Sequence, residues 1–249
     1  MSCSLPQEIL DIIVDHLQNE PITLRACCLV SNSWVSRTRR HLFARIKFDS
    51  VGSVKSWLEA FPDPSNSPAH YTRALQLFDY QAVKDAISDT CFWILSFNRI
   101  AKLHVKFFSM DDGGFSLTQL YGLSPTLKSL TLFYPGLPHS QTLHFICSFP
   151  LLEDISVYSY SYPNDDAYAW DVPPTSPKLT GFLNLNSNVN HIARGLLSLL
   201  GGLRFSKIAV SCPIGDSSSR EELVSMCSGT LEYLVIEHYP RMLSPGSRD

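Results

Sequence analysis

Charge is scarce in this sequence. Asp, Glu, Lys and Arg make up 17% of its 249 residues, where about a quarter is usual for a soluble domain. A chain this poor in charge either buries many positions or pairs part of its surface with partners. It also lacks a basic excess. A net charge of −3 and a pI near 6.2 argue against a dedicated nucleic-acid binder. No apolar run reaches the roughly 18 residues that a membrane-spanning helix needs. The most apolar stretch, Ile192 to Leu203, is interrupted by Arg194, Gly201 and Gly202, so no membrane partner is expected.

The opening residues Met1-Ser2-Cys3-Ser4 have no positive region followed by an apolar core, and are not read as a secretory signal. The cysteines, Cys3, Cys27, Cys28, Cys91, Cys147, Cys212 and Cys227, are therefore expected to be reduced thiols in the cytoplasm or nucleus. None stands in a C-x-x-C pair and no H-x-x-x-H accompanies them, so neither a metal nor a cofactor is expected. Most should pack as small apolar residues. Signatures of catalysis are missing too: no G-x-S-x-G elbow, no Walker loop, no G-x-G-x-x-G. Asp111-Asp112-Gly113-Gly114 and Asn164-Asp165-Asp166 lack the ligand spacing of a calcium loop. The expectation is a binding protein rather than an enzyme.

What is present begins with three short helical patterns. Pro6 suits a first helical turn, where its missing N–H is unneeded, and Glu8 suits the helix dipole. Ile9, Leu10, Ile12, Ile13, Val14 and Leu17 then cover more than the single stripe that a surface helix requires. Asn19-Glu20-Pro21 is read as the stop. A second helix is expected from Thr23 as N-cap, through Leu24, Ala26, Cys27, Leu29 and Val30. A third starts at Trp34-Val35 and ends near His41-Leu42-Phe43. Three helices in about 45 residues make a marginal core that needs a neighbour or partner.

The run Leu5-Pro6-Gln7-Glu8-Ile9-Leu10, then Ile12-Ile13 and Leu17, then Leu24, Cys27-Cys28-Leu29-Val30-Ser31 and Trp34, resembles an F-box. That motif opens L-P-x-E-[IL]-L and closes on an apolar-V-S-x-x-W segment. Arg39 to Ile46 resembles the segment just after the motif in many fungal F-box-like proteins. The resemblance covers residues 1–48. It implies docking on a Skp-type adaptor and, through it, on a cullin. It further implies that Leu5, Pro6, Ile9, Leu10, Ile13, Leu17, Leu24, Leu29, Val30 and Trp34 are shared between the motif's own core and the adaptor surface. An unrelated helical cap would place the same residues in its core.

In residues 49–249 an apolar-any-apolar triplet recurs in β-prone settings. Its first residues are Leu75, Leu103, Leu130, Ile155, Leu183, Ile208 and Leu234, at gaps of 28, 27, 25, 28, 25 and 26. Leu127, Leu152 and Leu231 precede their triplets by three. The L-x-x-L-x-L spacing is that of leucine-rich repeats, here degenerate because the expected asparagine is absent or displaced. Helical patterns intervene at Val83–Phe97, Gln141–Phe149, Val189–Leu200 and Ser219–Met226. The expected fold is α/β: a three-helix F-box-like unit, then about seven strand-helix units in a solenoid, parallel strands on the concave side and helices on the convex. An ordinary α/β domain is the alternative.

Strand residues between the apolar positions should line the concave surface, which is polar and aromatic with charges of both signs. Phe133, Tyr158 and Tyr233 stand out there. The loop after Val157 adds Tyr160, Tyr162 and Trp170, a composition enriched at binding hot spots. These six are the candidate target-binding residues. The resemblance implies a substrate receptor of an SCF-type (Skp–cullin–F-box) ubiquitin ligase. An F-box-like scaffold without a ubiquitylation role stands beside it, and a hydrolase with an eroded motif is a remote third.

Overall fold

The computed structural model describes residues 6–78, 92–106, 120, 123, 125–133, 139–159, 177–187, 190–199, 202–212 and 218–238. Among the described residues the chain is an α/β protein built on an open, parallel sheet of eight strands in sequential order. The strands are β1 (Arg45–Phe48), β2 (Ala74–Phe78), β3 (Lys102–Lys106), β4 (Ser129–Phe133), β5 (Asp154–Ser159), β6 (Phe182–Ser187), β7 (Lys207–Cys212) and β8 (Tyr233–His238). The helices are α1 (Gln7–His16), α2 (Pro21–Val30), α3 (Asn32–Leu42), α4 (Val51–Ala60), α5 (Phe92–Leu95), α6 (His139–Cys147), α7 (Asn190–Leu197) and α8 (Ser218–Met226). Two short 3-10 turns, Pro64–Asn66 and Pro68–Tyr71, precede β2.

Every apolar triplet found in the sequence lies in a strand, and all are in phase. Leu75 pairs with Leu103, Leu103 with Leu130, Leu130 with Ile155, Ile155 with Leu183, Leu183 with Ile208 and Ile208 with Leu234. Side chains alternate across a strand, so this register puts both apolar members of each triplet on one face. There those of β2 to β7 form a continuous core with Trp93 and Ile94 of α5, Leu143 and Ile146 of α6, Ile192 and Leu196 of α7, and Leu223 of α8. From β2 to β7 those members are fully or almost fully buried. Removing a leucine side chain from such a site costs about 2–5 kcal/mol.

The sheet has one strand more than the triplets suggested. Ile46-Lys47-Phe48 pairs in phase with Leu75-Gln76-Leu77, so β1 belongs to the sheet although the expected unit 1–48 includes it. Its Phe48 meets Trp57 of α4 edge-on at 5.8 Å and Trp93 at 5.3 Å. Phe43 meets Trp57 and Phe61 in the same way, at 6.2 and 6.1 Å. This aromatic group closes the β1 end and joins it to the N-terminal helices. At the other end Leu234 and Ile236 are 40% and 50% exposed.

Backbone bonds repeat with the sheet. The carbonyls of Ala44, Arg73, Ala101, Lys128, Gly181 and Ser206 each accept from two consecutive N–H groups of the next unit. Thr72, Thr126 and Thr230 add a hydroxyl bond back to the carbonyls of Phe43, Ile100 and Phe205, at 2.9, 3.2 and 3.2 Å. Just past their helices, Ser96, Ser148 and Ser198 donate to the carbonyls of Trp93, Phe145 and Gly195, satisfying acceptors that helix ends leave open.

Several boundaries differ from the sequence reading. Pro6 is the N-cap of α1 rather than its first helical residue. Pro21 starts α2, where its lack of an N–H is harmless, and Thr23 lies inside that helix, donating to Glu20 at 3.0 Å. Asn32 starts α3, capped by the Ser31 hydroxyl, which accepts from Ser33 N–H at 3.3 Å. Helix α4 has no counterpart among the helical patterns of the sequence. It opens with a capping box in which Ser53 replaces the usual Glu.

One junction breaks the backbone pattern. The Glu153 carbonyl accepts only from Gly181 N–H, and the next donor, Phe182 N–H, bonds the Asp154 carboxylate at 2.8 Å. A Cβ on Gly181 would stand 2.1 Å from Asp154 Oδ1, so the bond requires glycine. Gly181→Ala should therefore cost about 1–3 kcal/mol in urea unfolding, the scale of a lost charge-assisted bond. Combined with Asp154→Ala it should be clearly less than additive. Additive costs would show that the two residues are uncoupled.

Candidate functional site

The N-terminal helices divide their apolar residues between two faces. On α1, Val14 is buried with Leu10 and Leu17 half-buried beside it, a stripe at i, i+4 and i+7. Ile9, Ile12 and Ile13 occupy the neighbouring stripe and stay 44%, 53% and 38% exposed. On α2, Leu24 and Cys27 are buried while Ile22, Leu29 and Val30, on the opposite side, are 83%, 89% and 67% exposed. Helix α3 packs against both.

A polar contact joins α1 to α3 beside this packing. Asp15 accepts from two guanidinium nitrogens of Arg37, Nε at 2.6 Å and Nη2, and lies 2.7 Å from His41 Nε2. The bonded Arg37 guanidinium holds the Asp15 carboxyl well below its ordinary value; burial opposes it, and His41 adds a smaller downward pull.

The ten residues implied by the F-box resemblance thus separate. Pro6, Ile9, Ile13, Leu29 and Val30 are exposed, Leu10, Leu17 and Trp34 are half-buried, and Leu24 is core. Leu5 lies outside the described residues. Ile12 and Ile22 are exposed as well. Helical spacing from Ile9 could have found Ile12; Ile22 lay in what the sequence reading treated as a break.

The second surface is the open face of the sheet, opposite the helices. Phe133 of β4 and Tyr158 of β5 are in register and stacked, with ring centroids 4.6 Å apart and an angle of 11° between planes. Asn184 of β6 donates to the Tyr158 hydroxyl oxygen at 2.9 Å, fixing the ring. At the β1 side, Lys47 bonds Asp49 at 3.1 Å and lies 5.0 Å from the centre of the Phe78 ring. Between these lies His104 of β3, pushed below its ordinary value by burial and then by the nearby Lys102 charge.

Of the six candidate target-binding residues, the structure brings Phe133 and Tyr158 together. Tyr233 is exposed on β8, three strands from β5, about 14 Å at the usual strand spacing. Tyr160, Tyr162 and Trp170 lie outside the described residues. The alternation around Leu75 and Leu77 already puts Phe78 on this face; Lys47 was not singled out, and the register of β1 shows that it shares the face.

Cys27, Cys147 and Cys227 are buried and Cys28 is half-buried, all as free thiols, with burial pushing Cys147 up to about 11. Among the described residues no group of three or more His, Cys, Asp or Glu could hold a metal ion, and no helix is long and apolar enough to cross a membrane. No protein-family model matches the chain, and no curated protein matches it.

Two titrations test these surfaces. Ionised Asp15 contributes its stability in full above the ordinary carboxylate value of 3.8, and the contribution is lost as pH falls through the depressed folded value. Its side chain is 40% exposed, so Asp15→Asn should cost only about 0.5–1 kcal/mol at pH 7. The cost should shrink as pH falls below the ordinary value; a difference unchanged at acid pH would contradict the role given to Asp15. For His104, Lys102→Gln should raise the NMR titration midpoint without restoring the ordinary value, because burial remains the larger cause.

Proposed function

We propose that this chain is the substrate-recognition subunit of an SCF-type ubiquitin ligase. In this reading α1 to α3 form an F-box that docks on a Skp-type adaptor and, through it, a cullin. The sheet and its helices are leucine-rich repeats that hold the target. The observation that carries the reading is that Ile9, Ile13, Leu29 and Val30 stay exposed after folding, at the positions where the sequence resembles the motif. Apolar residues gathered on a surface mark a place where another protein covers them. A three-helix unit held to its own core by few side chains gains stability from such a cover.

The mechanism is proximity. The adaptor would take the exposed faces of α1 and α2, and the target the open face of the sheet. Holding the target raises the effective concentration of its lysines beside the charged ubiquitin carrier. No covalent step takes place on this chain, which is a non-catalytic adaptor acting in the cytoplasm or nucleus. The runner-up is an F-box-like scaffold that binds the adaptor without ubiquitylating a target. Stabilisation of a bound protein when this chain is deleted favours the first; unchanged turnover of every bound protein favours the second.

Ile9→Asp combined with Leu29→Asp should weaken adaptor co-purification at least about a hundredfold. Two exposed apolar anchors are worth roughly 3 kcal/mol together. The thermal midpoint should stay near wild type, since both side chains face solvent. Retained adaptor binding would contradict the docking assignment.

A further inference from the structure

The apolar pair that is buried in every strand from β2 to β7 is uncovered in β8. Leu234 and Ile236 are in register with Ile208 and Val210 of β7. Those two are 0% and 3% exposed, whereas Leu234 and Ile236 are 40% and 50% exposed. Met226 of α8, the helix that leads into β8, is exposed too.

The backbone is open at the same place. Among the described residues β8 has β7 on one side and no strand on the other. Tyr233 N–H bonds the Ser206 carbonyl at 3.1 Å. Alternate residues of a strand in a parallel ladder bond a given neighbour, so the N–H and C=O groups of Leu234 and Ile236 point away from β7. Such an edge is a template for a further strand.

Charge decides what kind of strand fits. Every exposed charged residue described in 218–238 is an acid: Glu221, Glu222, Glu232 and Glu237. Arg220, the one Lys or Arg in that segment, is 2% exposed and donates to the Ser211 carbonyl. Glu222 and Glu232 enter no salt bridge among the described residues. Glu222 stands one helical turn before Met226, and Glu232 directly precedes β8. An incoming strand that sets apolar residues against Leu234 and Ile236 therefore meets a carboxylate at the start of that row, and a cation just outside its apolar pair matches it. A second β8 edge is the poorer occupant, because it brings the same glutamates and no Lys or Arg.

We propose that the β8 edge binds an extended segment of another protein as a ninth strand, two alternate apolar side chains of the segment on Leu234 and Ile236 and a Lys or Arg beside Glu232. Main-chain bonds to Leu234 and Ile236 supply affinity, and the side chains supply selection. The site lies apart from α1 and α2 and goes beyond the ligase reading.

The test is fluorescence anisotropy of the full-length chain with an array of labelled 12-residue peptides. Each peptide carries an apolar-Thr-apolar triplet with two Lys or Arg before or after it. A matched array has Glu for the cations, and two further sets carry N-methyl groups on alternate residues, one phase each. The expected result is at least tenfold tighter binding by cationic members than by their Glu versions, weakened by added salt and lost in one N-methyl phase. Glu232→Lys should turn the preference towards the Glu array, and Ile236→Asp should weaken binding at least tenfold, both with adaptor co-purification unchanged. Ile236→Asp also removes apolar contact within the chain, so Glu232→Lys and the N-methyl sets give readings that leave the fold alone. Equal binding of cationic and Glu peptides, a preference untouched by Glu232→Lys, binding that neither N-methyl phase disturbs, or no binding by any member would each overturn the proposal. So would a dimer in light scattering that Ile236→Asp dissolves, which makes a second copy the occupant. Tighter binding of a labelled 239–249 peptide than of every array member would overturn it in favour of the chain's own segment. Failure here with adaptor binding intact leaves the ligase reading standing; the reverse pattern removes that reading and keeps the β8 site.

Discussion

Two apolar positions per strand, separated by one residue and held at the same register from β1 to β8, organise the sheet and its helices. Because the side-chain period of a strand is two, a slip of one residue anywhere would turn a whole apolar pair to solvent. The register therefore fixes both faces at once. From β1 to β7 one face packs against α4 to α8, and the other presents the intervening residues in rows. The Phe133–Tyr158 stack and the Lys102–His104–Lys106 ladder are consequences of that register, not of any local motif. Burial repeated at each junction also accounts for much of the low charge of the chain.

The two surfaces differ in physics. The helical face is apolar, built on side chains that fold without finding cover. The sheet face is polar and aromatic. An apolar face suits a constant partner bound by desolvation, and a polar face suits selection by complementarity, which acts on specificity more than on affinity. Having both on one chain, at different elements, is what a bridging protein requires.

How much of this was legible in the sequence depended on periodicity. The seven triplets were visible because each carries its own apolar pair. The same rule fits Ile46-Lys47-Phe48, 29 residues before Leu75, but those residues also fit the tail of the F-box-like pattern. Helix α4 was hidden because Gly52, Ser53 and Ser56 dilute its apolar stripe, which Val54 and Trp57 carry with the half-buried Leu58. The threonine and serine bonds repeat with the sheet, yet Thr72, Thr126 and Thr230 look like ordinary loop polars until the carbonyls they meet are in place. On α1 and α2 the surplus of apolar residues was legible, but which of them turn outward was not. That Leu24 is core and Leu29 exposed follows from where α3 lies.

The central claim is that the exposed apolar faces of α1 and α2 are an interface left open for one partner. Hydrogen–deuterium exchange on the full-length chain, with and without a Skp-type adaptor, tests it most directly. The account predicts slowed exchange across α1 and α2, with the sheet from β2 to β7 unchanged. Unchanged exchange in α1 and α2, or protection confined to the sheet, would contradict it.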